Sequence, residues 1–146
     1  MLEDADLELT GSPGVGQAIT ATAFGSRGYD LGAAGVDPGV GEPIQPVFQV
    51  TENFTLLTSG VVDVGHADDA AGTNFVALSS SGSIVLANLT TANSPMKRLP
   101  AIAPGLITKK FLVAKFTVTG TNPGAGKIRV LIHKDRHATP VNPGAL

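Results

Sequence analysis

With 146 residues, 42% of them hydrophobic, only 15% charged and a net charge of −2, the chain has the length for one domain whose core can remove roughly 70% of the unfolded surface from water. It contains no cysteine, which excludes disulfides, thiolate metal sites and a thiol nucleophile. Its 18 Gly and 10 Pro interrupt it too often for long helices, and a surface left largely to Thr, Ser, Asn and Gly is only lightly defended by charge against contact with other proteins.

The start, Met1-Leu2-Glu3-Asp4-Ala5-Asp6, is acidic and lacks the basic region and apolar run of a secretory signal. No apolar stretch approaches the ~18 residues needed to cross a bilayer, so no membrane association is expected. Asp6 to Thr10 and Ala18 to Phe24 read as weak strands, and Gly32 to Gly41 as a loop. In Pro46 to Glu52, Phe48 and Val50 share one face and Gln49 and Thr51 the other. In Val61 to His66, Val62 and Val64 oppose Val61 and Asp63. This period of two predicts half-buried sheet. Asn74 to Ser80 and Ser83 to Leu89 predict two further strands. Val85 to Ala92 is the one stretch with room for a helical turn, and its β-branched residues argue against it. Met96 to Gly105, broken by Pro100 and Pro104, reads as a second loop.

The longest alternation, Lys110 to Thr119, sets Leu112, Ala114, Phe116 and Val118 against Phe111, Val113, Lys115 and Thr117. Lys127 to His133 follows, with Ile128, Val130 and Ile132 inward and Arg129 outward. The glycine-rich link from Gly120 to Gly126 predicts that the two form an antiparallel hairpin with a loose connection. About eight short strands with long crossing loops predict an all-β fold, an antiparallel β-sandwich of jelly-roll type. Residues 1–137 are then a single domain with a short acidic N-terminal arm. Residues 138–146, with Pro140 and Pro143 and no periodicity, form an extended tail.

Charge is segregated along the chain. Residues 1–73 hold eleven acids and one base, a balance of −10, while residues 74–146 hold nine bases and one acid, a balance of +8. Acidic and basic strands that interleave in a sheet would neutralise one another across neighbours. The sharper alternative, an acidic and a basic flank, would favour head-to-tail contact between copies, which closes into rings such as trimers. Nucleic acid is not an expected partner, because the basic residues are not interleaved with stacking aromatics and phosphates would meet a strongly acidic half.

No catalytic constellation emerges. Asp63, His66, Asp68 and Asp69 are the only dense group of metal-ligand types, but their spacing matches no EF-hand, and a turn whose Asp side chains accept from nearby backbone N–H groups is the better reading. His133 and His137 are four apart, yet His133 ends a strand pattern and no His-Glu-x-x-His core is present. Gly124-Ala125-Gly126-Lys127-Ile128 lacks the spacing and the Ser or Thr of a phosphate loop and reads as a hairpin connection. No Ser sits in Gly-x-Ser-x-Gly. An enzyme is therefore not expected, and neither is a cofactor or a metal.

Read in order, Leu7-Glu8-Leu9, Gln17-Ala18-Ile19-Thr20-Ala21-Thr22-Ala23, Tyr29-Asp30-Leu31-Gly32 and Gly39-Val40-Gly41-Glu42-Pro43-Ile44 are followed by Asp68-Asp69-Ala70, Arg98-Leu99-Pro100 and the run from Phe111 to Thr121. This succession resembles the jelly-roll capsid cement, or decoration, proteins of tailed and especially short-tailed bacteriophages. The 65–95 region and Lys134 to His137 depart from the pattern. The resemblance implies a non-enzymatic structural protein of the virion, on the outer capsid surface, that clamps neighbouring copies of the major capsid protein, acts as a homotrimer and needs no cofactor. The residues expected at the capsid or subunit contact are Leu2, Glu3, Asp4 and Asp6 of the arm, with Gly39, Val40, Gly41, Glu42 and Pro43. A carbohydrate- or receptor-binding β-sandwich is the alternative; it would present aromatic platforms, and a chain with no Trp and one Tyr argues against it. A cupin-like metalloenzyme would need a compact His and carboxylate set that three scattered histidines do not provide.

Overall fold

Apolar side chains at every second position can all be buried only if the segment is extended and one face is covered, and the alternating stretches are the long strands of the protein. The structure is a computed structural model that describes residues 8–11, 14–35, 43–94, 96–103 and 105–134. Among these, nine strands follow in order: β1 (Gln17–Ala18), β2 (Ala23–Phe24), β3 (Tyr29–Asp30), β4 (Ile44–Glu52), β5 (Leu57–Ala67), β6 (Val76–Val85), β7 (Lys97–Arg98), β8 (Phe111–Gly120) and β9 (Lys127–Lys134). One 3-10 turn, Leu86–Asn88, follows β6.

The strands form two antiparallel sheets, β1-β9-β4-β7 and β2-β8-β5-β6, with β3 also paired to β8. β2 and β3 are two pieces of one interrupted strand: Ala23 lies opposite Phe116 and Tyr29 opposite Leu112, with the Gly25 N–H donating to the Ala114 carbonyl between them. Counted that way there are eight strand positions, and the chain changes sheets at every connection except the β5–β6 hairpin. This is a jelly-roll sandwich. Between the sheets, Phe48, Val50, Ile128, Val130 and Ile132 face Val62, Val64, Leu112, Ala114 and Phe116 in one buried cluster. Burial of each large side chain stabilises the fold by roughly 1.5–3 kcal/mol. Phe54 stacks on Phe116 with ring centroids 5.1 Å apart, and the Phe116 ring lies so close over Gly60 that a Cβ there would collide with it.

Several strands differ from expectation. β8 and β9 are not a hairpin: β8 lies between β2/β3 and β5, while β9 lies between β1 and β4 in the other sheet. Each has an apolar face to bury in the same gap, and the 121–126 connection crosses between sheets that pack ~10 Å apart, leaving Gly120 at φ 90° and re-entering at Gly126 at φ 139°. Ala18 to Phe24 is not one strand either. It turns between β1 in one sheet and β2 in the other, with the Thr22 hydroxyl accepting from the Val118 N–H. Conversely, most of 74–80 and the start of 83–89 merge in β6, which runs through Gly82 because register shifts against β5 absorb the extra residues. The 3-10 turn forms where β-branching argued against a turn, since Leu86, Ala87 and Asn88 carry none and Val85 stays extended as its cap. Of the strand expected at Asp6 to Thr10, Glu8 makes an isolated bridge to Leu131, and Asp6 and Leu7 lie outside the described residues, as do His137 and the tail 138–146.

Candidate functional site

Polar chemistry collects in three places on this framework. The first is on β9. Its alternation sends Ile128, Val130 and Ile132 into the core and turns Arg129 to the opposite face, as expected, but Arg129 is only 8% exposed. Its Nε and Nη2 donate to the two carboxylate oxygens of Glu8, at 3.1 and 3.3 Å, and Nη1 donates to Gln49 Oε1 at 2.9 Å. Glu8, 2% exposed, also accepts from the Gly14 N–H. Beside it the Thr10 hydroxyl accepts from the Val130 N–H, and the Leu9 N–H donates to the Val130 carbonyl. A two-pronged guanidinium–carboxylate contact of this kind fixes geometry as well as charge. It ties the stem of the N-terminal arm to the sheet.

The second place is the end of the sandwich where β5 gives way to β6. Asp69 Oδ1 accepts from the N–H groups of Ala71 and Thr73 and Oδ2 accepts from the Thr73 hydroxyl, while Asp68 Oδ2 accepts from the Asn74 amide. The hydroxyl and backbone donors of Thr73 hold the Asp69 carboxyl below the usual carboxylate range. The aspartates therefore build a turn, as the sequence indicated, and no group of three or more metal-ligand residues is assembled among the described residues. His66, buried at the end of β5, accepts from the Thr108 N–H at Nδ1, 3.0 Å away; burial holds its pKa below the ordinary value, Lys109 adds to that, and Asp68 opposes it.

The same end gathers other connections. Leu31 N–H donates to the Lys110 carbonyl, Ile44 and Ile102 exchange backbone bonds, and Lys109–Asp68 and Lys110–Asp30 approach to 3.7 and 3.9 Å. Glu8 lies level with Leu131 near this end, and the exposed Pro43 immediately precedes Ile44. Among the residues expected to make contacts, Pro43 is thus placed. Leu2, Glu3, Asp4, Asp6, Gly39, Val40, Gly41 and Glu42 lie outside the described residues. All three ion pairs seen among the described residues join an acid of the first half to a base of the second, so charges do neutralise across neighbours.

The third place is a cleft of about 520 Å³ between β6, the outer strand of one sheet, and β7, the outer strand of the other. Phe48 and the half-buried Ile84 supply apolar surface, Ser83 and Asn88 supply polar groups, and Lys97 and Arg98 supply two exposed cations. Sequence reasoning assigned this segment to a loop and missed the site. The adjacent pair of bases Lys97-Arg98 was its only signal.

An antiparallel jelly roll whose polar features are turns, ties and an open cleft is a β-sandwich suited to surface contact. A family model described as Bbp16 matches residues 14–132, from before β1 into β9, and no curated protein matches the chain. The chain belongs to the Bbp16 family, a phage-related family, which puts it in the class of phage structural proteins.

Proposed function

We propose that this protein is a non-enzymatic cement subunit of a phage head, a homotrimer that sits on the outer capsid surface and clamps neighbouring copies of the major capsid protein. It uses no cofactor and binds neither nucleic acid nor membrane. The observation that carries this reading is the match to a phage-related family over residues 14–132, together with the placement of Pro43, beside the Ile44–Ile102 bridge, and of Glu8, the stem of the acidic arm, in the same half of the sandwich. Contacts made there by the 39–43 segment and by the arm would each be modest. In a trimer they are repeated three times, and once one site is seated the others bind at high effective concentration. Binding to the assembled shell and not to separated subunits then stabilises the particle by linkage.

The contact assignment is tested by adding purified protein to bare capsids and imaging the occupancy. Glu42→Ala combined with deletion of Met1 to Asp6 is expected to lower occupancy several-fold at subsaturating concentration while the free protein keeps the circular dichroism of the folded sandwich. Unaltered occupancy would remove these residues from the interface.

A further inference from the structure

We propose that the cleft between β6 and β7 is the seat of the acidic N-terminal arm, residues 1–7, of a second copy of this chain. The inference rests on the homo-oligomeric part of the reading above and refines it: the arm serves capsid binding by holding the copies together, and the 39–43 segment is left to touch the shell. The cleft is cationic on one side: Lys97 and Arg98 are exposed, neither takes part in an ion pair among the described residues, and no carboxylate of the described residues lines the cleft. The arm, Met1-Leu2-Glu3-Asp4-Ala5-Asp6-Leu7, has the complementary chemistry, three carboxylates flanked by Leu2 and Leu7. Carboxylates suit the two cations, a leucine suits the apolar patch of Phe48 and Ile84, and Ser83 and Asn88 can bond a peptide backbone.

Position within the sheet sets the stem of the arm and the cleft on unlike edges, which suits a second copy. Glu8 lies opposite Leu131, Leu131 opposite Val47 and Val47 opposite Arg98, so the four form one row across β9, β4 and β7. At ~4.8 Å per strand, the stem of the arm and Arg98 stand on opposite edges of the sheet, about 14 Å apart. An acidic outlet on one edge and a cationic cleft on the other are the two unlike halves of a heterologous contact, the kind that repeats head to tail and closes into a ring when the rotation allows. The segregation of charge along the chain acquires a use in this arrangement: Lys109, Lys110 and Arg129 pair with acids of their own chain, while Lys97 and Arg98 face the arm of the next subunit.

The chain has no cysteine, so the contact can be trapped in full-length protein. An Asp4→Cys copy is mixed with an Arg98→Cys copy under mild oxidation. The expected product is a two-chain species that contains one of each, in excess over either self-linked pair; absence of that species would overturn the proposal. In a chain carrying both substitutions, linked two- and three-chain products are expected, and closure within single chains alone would contradict it. Separately, Lys97→Glu with Arg98→Glu should weaken self-association at least tenfold at physiological salt, with the thermal melt as a control for folding. Adding Glu3→Lys, Asp4→Lys and Asp6→Lys should restore it. An oligomer whose mass is indifferent to the reversal would defeat the arm–cleft contact alone, whereas wild-type protein that is monomeric throughout would defeat the oligomeric reading itself.

Discussion

Arg129 and Arg98 lie on strands flanking β4 in one sheet, opposite Gln49 and Val47, which share a face, and the protein treats them in opposite ways. Arg129 is buried, with a carboxylate from 121 residues away engaged by two of its nitrogens and an amide oxygen on the third. Arg98 is exposed at the edge beside Lys97, in a cleft where no carboxylate of the described residues reaches it. The same side chain thus serves structure in one place and is left available for an outside partner in the other. What separates them is whether the fold returns a complementary charge to that position.

The largest effect expected from breaking this contrast is on the buried side. Arg129→Ala leaves the Glu8 carboxylate desolvated and should destabilise the protein by about 3–5 kcal/mol, read from denaturant unfolding. Arg129→Met together with Glu8→Leu should recover most of that loss; a single variant as stable as wild type would mean the pair does not hold the arm's stem. A smaller effect is expected near the end of β5, where His66 accepts a bond in its neutral form. Its folded pKa is lowered, so the unfolded state binds the proton more readily. This part of the stability is therefore complete above about pH 6.5 and declines as pH falls below it towards the lowered value. Unfolding midpoints measured between pH 5 and 8 should slope in wild type and flatten in His66→Asn, and identical slopes would exclude His66 as the source. The smallest effect is at the edge: Arg98→Ala should leave stability within about 0.5 kcal/mol of wild type, as for an exposed substitution, while weakening self-association in sedimentation experiments. A large loss of stability would make Arg98 a second structural arginine and erase the contrast.

Much of the architecture was legible because period-two alternation is a local property. Phe48 and Val50, Val62 and Val64, Leu112 to Phe116, and Ile128 to Ile132 each announced an inner face, and all are in the core. Alternation does not say which sheet a strand joins, and so the link from Gly120 to Gly126 was read as a hairpin when it crosses from one sheet to the other. β3 and β7 have two residues each, too few to show any period. The Glu8–Arg129 pair left no local mark, since its members meet only after the N-terminal segment is laid along β9, although the opposite charge of the two halves of the chain foreshadowed partnerships of that kind. The Asp68–Asp69 turn was legible because its bonds run to residues within six positions. The cleft was not, because it exists only where the outer strands of two sheets come side by side.

The proposed cement role requires that the protein make the shell harder to break, and that can be measured directly. Bare capsids heated with increasing amounts of the protein should disrupt at a temperature that climbs with concentration and levels off once the sites are filled. Capsids that come apart at the same temperature with and without saturating protein would contradict the account.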